Sequence, residues 1–259
     1  MKRNFLLIVC LVASALLYAQ TGKNIELNLV YIGNSITQGA LLKTPEQDAP
    51  PVQASLWLQK QKDVATVEYS NQGISGHTTL DFLPVSKTAF PKVTQAADLL
   101  REKSHGMLLF SMMLGTNDSA VKGPNGSPVS PQQYYTNMKA IIDELISLYP
   151  SCTVVVHAPV WYSPNTYNNA IYLKEGLKRL QSYLPQLQTL VSEYGNTYPH
   201  RVFMGDTEAF DYFKNNYLTD FTSEEGNAGT FYLHPNKKGT AKLGEFWGKA
   251  IYKVVKEIR

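Results

Sequence analysis

The chain has 259 residues, with 24 Lys and Arg against 21 Asp and Glu and a formal net charge of +3. Lys2 and Arg3 fall in a stretch that reads as an N-terminal leader; residues 20–259 hold 22 basic and 21 acidic groups, and no basic run exceeds the pair Lys237-Lys238. That balance excludes the clustered basic face of a nucleic-acid binder, and Cys152, the one cysteine beyond the leader, excludes a disulfide framework.

The leader pattern is a charged start at Lys2 and Arg3, an apolar run from Phe5 to Leu17, and a small-residue site at Leu17-Tyr18-Ala19 before Gln20. It predicts a cleaved export signal over residues 1–19, followed by a single domain over 20–259 that is periplasmic or extracellular. The apolar run is too short for a membrane span, so no stable membrane insertion is expected after cleavage. About 240 residues suffice for one sizeable core.

Short apolar runs then alternate with longer segments of helical spacing. "IELNLVYIG" from Ile25, "VATVEYS" from Val64, "MLLFSMMLG" from Met107, "CTVVVHAP" from Cys152 and "RVFMGD" from Arg201 predict strands covered on both faces. Ser130, Pro131 and Gln133 form a capping box with proline at the first helical position, opening a helix that ends before Pro150. A second helical stretch is predicted over residues 170–194, broken at Pro185 and capped by Gly195. The last helix starts near Pro235 and puts Leu243, Phe246, Trp247, Ala250, Ile251 and Val254 on one stripe. This alternation implies an α/β fold with a mainly parallel five-stranded sheet between helical layers, whose crevice lies outside the carboxyl ends of the strands.

Chemistry is therefore sought at those ends. The first strand runs into Gly33-Asn34-Ser35, which lifts a serine onto a turn; the last position of an α/β-hydrolase elbow is Thr37 instead of glycine. The second strand ends in "SNQGISGHTT", where glycines let backbone N–H groups approach an anion, and the third in "GTND", where Asn117 brings a side-chain N–H. His234 stands in "FYLHPNKKG" directly before the final helix, whereas His157 and His105 lie in or beside apolar runs and His77 and His200 are not excluded by pattern. Imidazole is the usual base for a serine nucleophile, and serine, backbone amide, carboxamide and histidine form a nucleophile, oxyanion donors and base.

With Ser35 in "GNSITQG", Gly73 in "NQGISG", Asn117 in "GTND" and His234 in "LHPN", the chain resembles the SGNH hydrolases, the GDSL esterase/lipase superfamily. The resemblance implies a three-layer, flavodoxin-like α/β/α fold, Ser35 as nucleophile and His234 as base. It further implies an oxyanion hole from the Ser35 and Gly73 amides and the Asn117 side chain, with no metal or organic cofactor. Asn34 stands where Asp is commoner. Family members usually carry Asp three residues before the histidine, and here that place is Phe231, whose ring cannot stabilise an imidazolium. Glu224 or Glu225, in "TSEEGNAGTF", is expected to fold back to His234, with a backbone carbonyl as the other acceptor.

"HAPVWYSPNTY" is expected to bring Trp161, Tyr162 and Tyr167 to the crevice, where aromatic faces with polar tips suit sugar rings. Together with the likeness of "IGNSITQG" to exported bacterial sialate and xylan acetylesterases, this points to a carbohydrate O-acetylesterase acting on a small-molecule or polysaccharide ester. A lysophospholipase- or thioesterase-like acyl hydrolase, and a non-catalytic carbohydrate-binding descendant, are the alternatives.

Overall fold

The computed structural model describes residues 24–259, so the export signal read at 1–19 lies outside the described residues. Strands β1 (Ile25–Gly33), β2 (Val64–Gly73), β3 (Met107–Met113), β4 (Thr153–Val156) and β5 (Val202–Met204) form one sheet in the order β2-β1-β3-β4-β5. Every neighbouring pair is parallel. Because side chains alternate across a strand, β1 sends Val30 and Ile32 to one face and Leu27, Leu29 and Tyr31 to the other, and both sets are buried. That is why β1 has the continuous apolar run predicted for a strand covered on both sides.

Nine α-helices in chain order accompany the strands among the described residues: α1 (Ser35–Gln38), α2 (Pro45–Asp48), α3 (Pro50–Gln59), α4 (Phe90–Lys103), α5 (Pro131–Leu148), α6 (Leu173–Gln181), α7 (Tyr183–Thr197), α8 (Ala209–Asp220) and α9 (Lys237–Glu257). Helices α4, α5 and α7 supply Val93, Met138, Ile141 and Leu187 to the core on the Val30–Ile32 face. On the other face α3, α8 and α9 supply Leu58, Phe213, Leu243, Trp247 and Ile251. The result is the expected three-layer α/β/α arrangement. Each fully buried aliphatic or aromatic side chain contributes about 1.5–3 kcal/mol of transfer free energy, so the two cores together offset the ordering entropy of the chain.

The helix ends follow from local chemistry. Ser130 Oγ accepts from Gln133 N–H at 3.1 Å, and α5 stops at Leu148, before Pro150. The stretch predicted over 170–194 is two helices: the break falls at Ser182, and Pro185 sits in the first turn of α7, where its missing N–H costs nothing. Gly195 lies inside α7 and caps nothing. Asn236 caps α9, its Oδ1 accepting from Lys238 N–H and Gly239 N–H; the last helix thus begins two residues beyond Pro235.

The segment before His234 that carries Glu224 and Glu225 is an antiparallel hairpin, β6 (Phe221–Gly226) and β7 (Gly229–Pro235), for which no strand is predicted from the sequence. Its turn contains Gly229 with φ +84°, a conformation open to glycine. Polar residues at most of its outward positions masked the strand pattern, because the hairpin packs beside the sheet as a separate two-stranded unit.

Gly73 is held where only glycine fits. A Cβ there would stand 2.3 Å from Gln38 N and 2.7 Å from Thr37 C, both backbone atoms of the α1 turn. Gly73→Ala is expected to lose about 2–3 kcal/mol of stability by overpacking. Gly76→Ala meets no atom within 4 Å but must adopt φ +77°, at about 1–2 kcal/mol. Urea unfolding of the two variants separates them; a Gly73→Ala midpoint at or above that of Gly76→Ala contradicts the close approach.

Candidate active site

Parallel register fixes where the site forms. Gly33 pairs with Gly73 on one side and with Met113 on the other, so β1, β2 and β3 end at one level and their following loops share one cleft. At the end of β1, Asn34 caps the single turn of α1, its Oδ1 accepting from Ile36 N–H at 3.1 Å, and Gly39 closes the turn with φ +84°. Ser35 is thereby held as the first residue of the turn, 8% exposed. The cleft beside it has a volume of about 560 Å³ and is lined by Ser35, Ala40, Leu41, Gly76, Asn117, Asn168, Tyr172 and His234 among others.

Three of the predicted residues form one hydrogen-bonded chain. Ser35 Oγ lies 3.0 Å from His234 Nε2, and His234 Nδ1 lies 2.9 Å from Glu224 Oε1. The carboxylate offers only acceptor oxygens, so Nδ1 carries the hydrogen and Nε2 is free to accept from the serine hydroxyl. Glu224 Oε1 also accepts from the His234 backbone N–H at 3.2 Å, fixing the carboxylate to the histidine by two contacts. In the hairpin ladder Glu224 stands directly opposite Phe231. The carboxylate missing from position 231 is thus supplied by the residue across from it on the neighbouring strand, while Phe231 is buried in the core.

Glu225, the other expected candidate, does not reach the histidine: its Oε1 accepts from Thr230 Oγ1 at 2.9 Å on the exposed side of the hairpin. Alternation along β6 separates the two neighbours.

Asn117 borders the cleft as predicted. Its Nδ2 donates to His77 C=O at 2.8 Å and its Oδ1 accepts from Tyr172 O–H at 2.7 Å. Asp118, next in sequence, is fully buried and clamps the following loop: Oδ1 accepts from Thr79 N–H at 2.9 Å and from Thr79 Oγ1 at 2.5 Å. Burial pushes its carboxyl up to about 6 against those stabilising hydrogen bonds.

Gly73 is a correction. Its N–H does not face the cleft; it donates to Asn71 Oδ1 at 2.9 Å, while Asn71 Nδ2 donates to Thr37 C=O at 2.9 Å. Asn71 therefore ties the end of β2 to the serine turn, which is why Gly73 must lie so close to it. The second glycine of "NQGISG", Gly76, lines the cleft instead, and among the described residues its N–H has no hydrogen-bond partner. The sequence offered Gly76 only as a second glycine in the same motif; its φ of +77°, which sets the backbone at the cleft, is fixed by the fold.

Trp161 and Tyr162 are likewise corrected. Neither lines the cleft: Trp161 packs against Tyr217 and Phe221 at ring distances of 5.2 and 6.1 Å, and Tyr162 is fully buried with its hydroxyl 2.9 Å from Ser119 Oγ. The segment after β4 runs back through the core, held by Ser163 N–H donating to Tyr232 C=O at 2.9 Å. Tyr172 takes the expected aromatic place in the cleft, beside Asn168 and Asn169.

A second serine–histidine pair shows what the site is not. His157 Nε2 lies 2.9 Å from Ser111 Oγ, but His157 Nδ1 accepts from Asp206 N–H at 2.9 Å. Nε2 must then carry the hydrogen and donate to Ser111, the reverse polarity of the Ser35 pair. Burial pushes His157 down to about 3, so it stays a neutral core group, as its place in an apolar run suggests.

A family model for the GDSL-like lipase/acylhydrolase family matches residues 31–242, and the chain belongs to that family. It is an ester hydrolase of the SGNH fold. Among solved structures, the chain is similar to Est24, a carbohydrate acetylesterase from Sinorhizobium meliloti, at 16% identity and TM-score 0.57 over 88% of this chain and 100% of that one. A catalytic mutant of Axe2, an acetylxylan esterase from Geobacillus stearothermophilus, gives 16% identity and TM-score 0.56 over 90% and 96%. A lipase/acylhydrolase from Enterococcus faecalis gives 18% identity and TM-score 0.55 over 87% and 95%. No curated protein matches the chain. At these identities the likeness is one of fold.

The two histidines are predicted to be opposite tautomers: nitrogen-detected NMR should find the hydrogen on Nδ1 of neutral His234 and on Nε2 of His157. His157 should remain neutral down to about pH 3. A protonated Nδ1 on neutral His157, or a bare Nδ1 on His234, contradicts these hydrogen-bond assignments.

Proposed function

We propose that the protein hydrolyses O-acyl esters, chiefly O-acetyl groups on carbohydrates, through an acyl-enzyme on Ser35. The observation that carries this is the unbroken chain from Glu224 through His234 to Ser35, with contacts of 2.9 and 3.0 Å. A serine hydroxyl becomes nucleophilic when a base takes its proton as it attacks, and His234 Nε2 is at that distance with its lone pair available. Glu224 holds the tautomer and stabilises the imidazolium, the role Asp plays in other serine hydrolases.

The tetrahedral oxyanion is received by the Ser35 and Gly76 N–H groups and the Asn117 Nδ2, fixed donors in a partly closed cleft. Protonated His234 gives its proton to the departing alcohol. It then activates water, which attacks the acyl-serine with the same donors in place.

Three features support the acetyl–carbohydrate reading. The cleft wall carries the amides of Asn168 and Asn169, groups that match sugar hydroxyls. The 1–19 pattern supports export, where acetylated polysaccharides are met. The Est24 and Axe2 likenesses agree with it.

Ser35→Ala is expected to lower turnover of an aryl acetate by roughly 10⁵–10⁶ and to abolish labelling by a fluorophosphonate probe. Glu224→Gln is expected to lower kcat by roughly 10²–10⁴, while Glu225→Gln stays within about twofold. Near-normal turnover in Glu224→Gln would sink the triad. Acetate release from acetylated saccharides should exceed that from aryl esters of longer chains; faster turnover with long acyl chains overturns the substrate reading.

A further inference from the structure

We propose that Tyr172 is a positioning residue for ester hydrolysis: its hydroxyl clamps the Asn117 carboxamide in the orientation that the His77 carbonyl selects, which leaves one Nδ2 hydrogen for the reacting carbonyl. The inference rests on the oxyanion role proposed for Asn117 and names what makes that role possible.

A carboxamide is nearly symmetric in shape, with an acceptor oxygen at one end and a donor nitrogen at the other. Only its hydrogen-bond partners distinguish the two. Tyr172 O–H donates to Asn117 Oδ1 at 2.7 Å, and His77 C=O accepts from Asn117 Nδ2 at 2.8 Å. The opposite rotamer would set Oδ1 against the His77 carbonyl oxygen, two acceptors at contact distance. In the observed orientation one Nδ2 hydrogen is taken by His77 and the second is the donor left for the cleft. Without the Tyr172 hydroxyl, Oδ1 would be a buried acceptor with no partner, and the amide would lose the contact that orders it.

Tyr172 is suited to this. It is 3% exposed, and desolvation, with smaller contributions from the charges of Asp118 and Glu224, raises its phenol well above the usual value, so it remains a donor over the working pH range. Its ring is fixed edge-on to Tyr162 at 5.3 Å, and its N–H donates to Thr166 C=O at 3.2 Å.

The same loop holds the other half of the site. Asn165 Nδ2 donates to Thr230 C=O at 2.8 Å, Asn227 N–H donates to Tyr167 C=O at 2.8 Å, and Tyr232 N–H donates to Ser163 Oγ at 2.8 Å. These contacts seat the hairpin that carries Glu224 and His234. Residues 163–172 therefore contact both the hairpin that carries the base and, through Tyr172, the oxyanion donor.

The test is a double-mutant cycle of Tyr172→Phe and Asn117→Ala, with kcat normalised by active-site titration of Ser35 and with the thermal midpoint recorded for each variant. Tyr172→Phe keeps the ring and removes only the hydroxyl. It is expected to lower kcat about ten- to hundredfold with KM within about threefold, by the same factor for short and longer acyl esters, because only transition-state stabilisation is lost. In the Asn117→Ala background it should cost less than about twofold more, since the group it orients is gone. Tyr172→Phe within twofold of wild type, or equal losses in both backgrounds, overturns the inference while a slow Asn117→Ala leaves the esterase reading intact. Asn117→Ala at the wild-type rate overturns both the oxyanion role and the positioning role.

Discussion

The hydrogen-bonded register of the three adjacent parallel strands sets Gly33 between Gly73 and Met113, and the rest of the site inherits that constraint. Three strands leave the sheet at one level, so loops far apart in sequence converge on one cleft. The constraint is tight because Gly73 has no side chain to keep the serine turn away, and Asn71 stitches the two together through Thr37 and Gly73. Gly73, the glycine that the resemblance implies for oxyanion binding, is thus spent on packing. Gly76, further along the same loop, is the one with an N–H to offer.

Two serine–histidine contacts of nearly equal length have opposite chemistry, and the difference lies entirely in the partner of the other ring nitrogen. A carboxylate on Nδ1 leaves Nε2 as an acceptor for Ser35; a backbone N–H on Nδ1 makes Nε2 a donor to Ser111. Distance alone would not separate the reactive pair from the structural one. The supplying carboxylate comes from a different strand than the resemblance implies. A cross-strand neighbour in an antiparallel hairpin is as near in space as a residue three places along the chain, and the longer glutamate side chain reaches the ring.

Much of the fold is legible because burial leaves a direct imprint. Strands covered on both faces read as apolar runs, and capping side chains at Ser130 mark a helix start whatever the tertiary context. The hairpin left no such imprint, since its residues Thr222 to Gly226 are half-buried or exposed and polar. Trp161 and Tyr162 misled for a related reason: an aromatic residue after a strand suits a cleft or a core equally, and only the path of the following loop decides. That path turned inward, and the hydroxyl of Tyr162 found Ser119 inside the protein.

By itself the sequence determined the α/β class, the chain order of the five sheet strands, and the candidate set of Ser35, Asn117 and His234, because periodicity and residue chemistry act locally and survive without coordinates. The tertiary structure alone decided that Glu224 and not Glu225 faces His234, that Gly76 and not Gly73 borders the cleft, and that Tyr172 holds Asn117. Those choices depend on strand register, on backbone dihedral angles and on which face of a strand a side chain leaves. Each shifts a side chain by several ångströms with no change in residue type, and only folding the chain back on itself fixes them.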